Sequence, residues 1–506
     1  TRRLARPSSP SSSSSGASSA RRDVPRDARA RTPLPRPVAE RARRVARASR
    51  DARRIASWGA EKDAPRHSLA RGTASRVMPT HAIAFSNNKG GSGKTFMAFQ
   101  IACEAARSRP RAKVCVIDFS LYSDLSALLL GGSAREGIGS AMRGLNACLE
   151  ATTKETRAEG LVRALEMAAL VREDGGTRRS TNSQKGEISK ERRSVFGSWF
   201  SRGGEADAKG ENATDVDLTR FMMRPRDVNE EVPENLYLVA GCGAWSWGKD
   251  ETAMTDEGDN MDVPLWARTG YEWIGAGEVF RDAVRALPEE FDAIFVDTDH
   301  LAACVLSKLA FAAMDSIVIP LSYNDMDFNR LFMDITENAL FTDVLIKMDQ
   351  IEQLQARVKK FMFTRVGSNS NSPSVSEGGI SSPFTPTKTS SAQMDDMARQ
   401  IWSACERPEY KSLLSNVDSL ANVDGNAVRT FMQHYFGMFK AVPELASLIS
   451  TMNGIPVCVM TSKTYTAANG LSGSTGAAAL NSLKAELSAS TQLLLDDRYN
   501  APIASS

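Results

Sequence analysis

Short apolar runs recur along the chain from His81 onward, and stretches of helical length separate them. "HAIAFSN" from His81, "KVCVIDF" (113–119), "ENLYLVAG" from Glu234, "DAIFVDT" (292–298), "SIVIPLS" (316–322), "KKFMFTRV" (359–366) and "PVCVMTS" (456–462) read as strands. Most are apolar on both faces instead of alternating, as strands are when helices cover both sides of their sheet. Between the first two, "KTFMAFQIACEAARS" places Met97, Ile101 and Cys103–Ala105 on or near one helix face. The pattern predicts an α/β fold over residues 79–500: a doubly wound, mostly parallel sheet with helices on both faces. "LAACVLSKLAFAAM" from Leu301 is too short to cross a bilayer and carries Lys308, so it predicts a buried helix.

Three stretches break the rhythm. Residues 1–78 contain a serine tract, "SSPSSSSSGASSA", and the Arg-Ala run "RARRVARASRDARR". Apolar bulk there is too scarce to offset the entropy of ordering, which predicts a disordered segment. Residues 172–233 and 367–393 are polar insertions and read as disordered loops, the second an unregulated spacer or a site for Ser/Thr-Pro phosphorylation.

Charge sharpens this division. The net charge is only +3 over 506 residues, yet residues 1–80 hold 20 Lys and Arg against 6 Asp and Glu, leaving the remainder net acidic. An Arg- and Ser-rich, acid-poor front has the composition of an organelle transit peptide, which predicts a chloroplast or other organelle. A basic tail for nucleic acid has the same composition. A start at Met78 would remove the segment and predict a cytoplasmic protein. The acidic body has no basic cluster, so DNA binding by it is not expected. Its C-terminal stretch "LKAELSASTQLLLDDRYNAPIASS" carries Asp496-Asp497, which argues against an anionic membrane surface. The seven cysteines are scattered without a C-x-x-C pair, which predicts buried thiols and neither a disulfide framework nor a zinc site.

The candidate chemistry sits after the first predicted strand, in "NNKGGSGKT" (87–95). A strand, a glycine-rich loop ending in Lys-Thr and an amphipathic helix, in that order, form a phosphate-binding loop. Gly90, Gly91 and Gly93 around Ser92 let successive N–H groups turn inward, and the helix start adds partial positive charge. Lys94 would reach the β- and γ-phosphates, and Thr95 would hold Mg²⁺. A glycine-rich helix cap is the plainer alternative. One position departs from G-x-x-x-x-G-K-[ST]: the first glycine would fall at Asn88, and the chain instead reads K-G-G-x-G-K-T with Lys89 at the front.

That form resembles the deviant Walker A motif of the ParA/MinD family of dimerising P-loop NTPases. "VCVIDFSLYSDLSALLLGG" (114–132) is similar to the family's second strand and switch segment. "FDAIFVDTDH" (291–300) resembles its Walker B strand, and "AFAAMDSIVIPLSYNDMDFNRL" its alanine-rich helix and following strand. "NGIPVCVMTSKTYTAANG" resembles its last strand. The resemblance implies ATP and Mg²⁺ as ligands, an ATP-dependent homodimer, slow hydrolysis, and a role in positioning or partitioning a cargo through an unnamed protein partner. It implies a nucleotide site of Lys89, Gly90, Gly91, Ser92, Gly93, Lys94, Thr95, Asp118 and Asp297, with Thr95, Asp118 and Asp297 around the metal. Lys89 would reach the partner's nucleotide, and Lys89, Lys94 and Ser120 would form the catalytic set. Three positions depart from the family. Ser120 stands where a water-orienting aspartate is usual, with Asp124 nearby. Asp299-His300 replaces Pro-Pro after the Walker B strand. Thr364-Arg365 ends the strand where an asparagine usually reads the base. Ser120 opens a second reading, a dimer scaffold or switch that binds ATP without hydrolysing it.

Overall fold

Eight strands form the central sheet of the computed structural model, which describes residues 81–135, 142–177, 214–241, 273–300, 304–333, 338–370, 374–375, 381–382, 384–416 and 427–496. These all fall in the unit Ala74–Ser506. The basic segment 1–78 and residues 178–213 of the first insertion lie outside the described residues. The strands are β1 (His81–Phe85), β2 (Lys113–Phe119), β3 (Met222–Met223), β4 (Leu236–Val239), β5 (Phe291–Thr298), β6 (Ser316–Leu321), β7 (Arg357–Val366) and β8 (Phe436–Lys440). Their order is β8-β7-β6-β1-β5-β2-β4-β3. Every neighbouring pair is parallel except β3 with β4.

The helices are α1 (Lys94–Ser108), α2 (Asp124–Leu129), α3 (Arg143–Ala151), α4 (Ala158–Thr177), α5 (Trp273–Arg285), α6 (Val305–Ala313) and α7 (Asp325–Phe332). Then come α8 (Ile346–Gln350), α9 (Lys388–Cys405), α10 (Pro408–Lys411), α11 (Ala427–Tyr435), α12 (Glu444–Asn453) and α13 (Ala477–Leu495). Two apolar cores result, one per sheet face. Ala82, Ala84, Cys115 and Ile117 pack with α4, α5 and α6. Ile83, Phe85, Val114 and Val116 pack with α1 and α13. Burial on both faces explains why "AIFV" in β5 is apolar without alternation, with Ala293 to Val296 fully buried. The predicted doubly wound α/β architecture is therefore the observed one.

Three local expectations fail for identifiable reasons. The predicted strand 456–462 is a turn. Pro456 has no N–H to donate to a ladder, and the Val457 amide is satisfied by the Gln100 side chain at 2.9 Å. Its apolar residues are buried against α1 all the same. The edge strand is instead β8, which follows α11 without an intervening turn residue and pairs with β7. Finally, the insertions are shorter than composition suggests. Helix α4 runs to Thr177, and 214–233 are ordered, with Leu218 and Val232 buried. Asn229 donates from Nδ2 to the Leu129 and Gly454 carbonyls, both at 2.9 Å. In the second insertion Ser368–Ser370 pairs with Thr385–Pro386, and α9 begins at Lys388.

Candidate functional site

β1 occupies the middle of the sheet with β5 on one side and β6 on the other. Its carboxyl end opens onto the crevice where open α/β sheets place ligands, at the point where the strand order reverses. The loop from Ser86 to Gly93 turns there into α1. Gly91 and Gly93 adopt φ of 73° and 92°, left-handed values that glycine reaches without strain. Thr364 at the end of β7 fastens the loop from outside, donating toward the Ser92 and Leu321 carbonyls at 3.0 Å each. A residue placed by the sequence where bases are read thus braces the loop.

Gly93→Ala tests the backbone directly. The new Cβ would lie 3.5 Å from Thr364 Cγ2, an ordinary contact, so the obstacle is the positive φ alone. That strain costs about 1–3 kcal/mol. The variant is expected to melt lower and to bind nucleotide at least about tenfold more weakly, because the loop relieves strain by moving its N–H groups. Calorimetric affinity equal to the wild type would contradict this.

Lys94, the first residue of α1, is buried and its Nζ donates to the Lys89 carbonyl at 3.1 Å. Burial lowers its pKa, and the carboxylates of Asp297 and Asp299 pull it back up. Asp297, the last but one residue of β5, is in register with Asp118 of β2. It is fully buried, and neither of its carboxylate oxygens has a hydrogen-bond partner. Burial first, then the Asp118 charge, push its pKa well above the usual range, while Thr95 and Lys94 pull the other way without closing a hydrogen bond to either oxygen. The Ser92 hydroxyl at the loop's centre is buried and unpartnered too. Unpaired buried polar atoms of this kind are costly unless something completes them.

Asp118 behaves differently. Its Oδ1 accepts from the Ser120 amide at 3.0 Å and hydroxyl at 2.6 Å, and its Oδ2 from the Ser126 amide and hydroxyl at 2.7 Å each. These bonds hold the segment between β2 and α2. Burial raises the Asp118 pKa, against the lowering from its serine hydrogen bonds. Ser120 is spent in the same turn: its hydroxyl donates to Asp118 and accepts from the Asp124 amide at 3.1 Å.

Lys89 folds back onto its own chain. Its Nζ donates to Ser322 Oγ at 2.9 Å and Asn324 Oδ1 at 3.1 Å, and meets Asp327 Oδ2 at 3.3 Å. Asp327 is fully buried, and its Oδ2 also accepts from the Ser322 amide and hydroxyl. Asn324 caps α7 by accepting from the Asp327 amide. Sequence reasoning missed Ser322, Asn324 and Asp327; the Asn-x-x-Asp helix-start spacing in "NDMD" was the available signal. It also missed a pairing after β5. Asp299 is buried, and its Oδ1 lies 2.6 Å from His300 Nδ1 while Oδ2 accepts from the Leu121 amide at 3.0 Å.

The residues present fit a nucleoside triphosphate with Mg²⁺. The left-handed glycines, the start of α1 and Lys94 suit phosphate oxygens. Thr95 and the unpartnered Asp297 suit a cation. No group of three or more His, Cys, Asp or Glu poised for a metal occurs among the described residues.

No family model and no curated protein matches the chain. Among solved structures it is similar to an McdA–ATP complex from Cyanothece, at 12% identity over 83% of this chain and 97% of that one, TM-score 0.39. It is similar to pNOB8 ParA bound to nonspecific DNA, at 14% identity over 82% and 96%, TM-score 0.38. A cobyrinic acid a,c-diamide synthase from Mycobacterium smegmatis with bound ATP analogue and magnesium matches at 12% identity over 70% and 91%, TM-score 0.31.

Proposed function

We propose that this chain binds ATP with Mg²⁺ in the loop 87–95 and uses it to associate as a homodimer, with slow hydrolysis ending the association. The observation that carries the reading is the loop itself. Left-handed Gly91 and Gly93, buried Lys94 and unpartnered Asp297 stand together at the carboxyl end of the central strand. Gly90, Gly91, Ser92 and Gly93 would line the phosphates with their amides. Lys94 would neutralise them, and Thr95 and Asp297 would hold the cation. Bound Mg²⁺ would supply positive charge to the phosphate oxygens. Asp118 would act from behind, fixing the segment that follows β2.

The K-G-G-x-G-K-T form supports the dimer. Lys89 lies in front of the loop, 23% exposed, and Lys94 would serve the phosphates of its own subunit. Met326, which lines the same cavity as Lys89, and Met333 at the far end of α7 are large apolar side chains left 58% and 61% exposed, as a face that becomes covered on association would be. A positioning or partitioning role is what the same resemblance implies.

Single-turnover phosphate release with protein in excess tests the catalytic half. The expected rate is slow but above that of Lys94→Ala. A rate equal to that background would favour the alternative suggested by the engaged Ser120 hydroxyl, an ATP-dependent scaffold that does not hydrolyse.

A further inference from the structure

With Ser120 bound into its own turn, hydrolysis would need another group for the attacking water, and His300 stands at the mouth of the loop. His300 lines a cavity of about 270 Å³ together with Asn88, Lys89 and Gly90 at the front of the loop, and Arg330 and Asn338 opposite. Its Nδ1 lies 2.6 Å from Oδ1 of buried Asp299. The second oxygen of Asp299 is held by the Leu121 amide, so the carboxylate is fixed at both ends. A carboxylate on Nδ1 selects the tautomer with the proton there and leaves Nε2 as the acceptor. The His300 side chain is 48% exposed. Asp299 also acts electrostatically on Lys94, and both Asp299 and His300 act on Asp124, which places the pair beside the loop and the start of α2.

We propose that His300, oriented by Asp299, is the general base for hydrolysis at this site, in the place where Ser120 cannot serve. The inference rests on reading the loop as an ATP site. Water attacks the γ-phosphorus while His300 Nε2 takes its proton. The bond between the γ-phosphorus and the β–γ bridging oxygen breaks, and its electron pair leaves with ADP. The imidazolium then returns the proton to solvent, giving ADP, phosphate and one proton from ATP and water. Asp299 is a positioning residue that holds the ring and stabilises the imidazolium.

The test uses the full chain, ATP, a non-hydrolysable ATP analogue and imidazole. His300→Ala is expected to lower the single-turnover rate about 100-fold or more, the range typical of a positioned base, while analogue affinity stays within about threefold. Added imidazole should restore part of the His300→Ala rate and none of the Lys94→Ala rate. The ¹⁵N spectrum of the His300 ring should show Nδ1 protonated in the wild type, and Asp299→Asn should abolish that preference and slow turnover without weakening analogue binding. A wild-type rate in His300→Ala overturns the proposal. So does a loss that appears in Asp124→Asn in place of His300→Ala, or analogue binding by the wild type with no turnover above Lys94→Ala. Failure of the wild type to bind the analogue at all would instead overturn the ATP site itself.

Discussion

Lys94→Ala abolishes nucleotide binding: calorimetry is expected to show at least a hundredfold loss of ATP affinity, equivalent to about 3 kcal/mol. The loss is this large because Lys94 has no understudy. It is the buried cation of the loop, within the electrostatic reach of Asp297 and Asp299. Lys89, the nearest alternative, is directed away into Ser322, Asn324 and Asp327. Removing Lys94 takes the positive charge from the phosphates and also leaves buried Asp297 without the nearby cation that offsets it. Folding must be controlled, since the same change alters a buried charge balance; circular dichroism and a melting curve serve. ATP binding by a folded Lys94→Ala within tenfold of the wild type would show that the loop is a helix cap and not a phosphate site.

Lys89→Ala abolishes ATP-dependent association while leaving ATP affinity of the single subunit within about threefold. The structure adds a complication that the motif does not reveal. Lys89 is the cation of a fully buried carboxylate, Asp327. Taking away one member of such a pair commonly costs about 3–5 kcal/mol, because the other charge remains buried alone. Lys89→Ala is therefore expected to melt well below the wild type, and a failure to dimerise could reflect damage to the fold. Asp327→Asn in the same chain separates the two effects. The amide keeps an acceptor for the Ser322 amide and hydroxyl and removes the stranded charge. Lys89→Ala with Asp327→Asn should recover most of the lost melting temperature and still not associate. Recovery of association along with stability would mean that Lys89 acts only within its own subunit. The in-chain contacts also imply a cost for the proposed association: Lys89 would have to leave Ser322, Asn324 and Asp327 to reach another molecule, which would gate association by a local network.

The loop was legible because strand, glycines, Lys-Thr and helix are consecutive, and each has a local physical reason to be there. The sheet was legible because strands buried on both faces, such as "DAIFVDT", are apolar without alternation. What escaped depends on distance in sequence. "PVCVMTS" has the composition of a strand, but its Val457 amide is taken by Gln100, more than three hundred residues earlier, and its Val459 and Met460 amides close turns within the stretch. β8 escaped because α11 runs into it with no glycine or proline to mark a boundary. Asp327 is unremarkable in sequence and becomes central only when folding sets it under Lys89. Ser120 was recognisable as a departure, but its consequence was not: only the fold shows its hydroxyl committed to Asp118 and to the start of α2. Adjacent Asp299 and His300 were visible as residues, yet their pairing, and the cavity His300 shares with Lys89 and Gly90, belong to the three-dimensional arrangement.

Light scattering of the wild type and of the Lys89→Ala, Asp327→Asn double variant, each with and without a non-hydrolysable ATP analogue, tests the central claim most directly. The wild type should double in mass only when the analogue is present, and the stable double variant should remain a monomer while binding the analogue. Equal association of both proteins, or a wild type that stays monomeric with the analogue bound, would contradict the account of Lys89 as the residue that turns ATP binding into dimerisation.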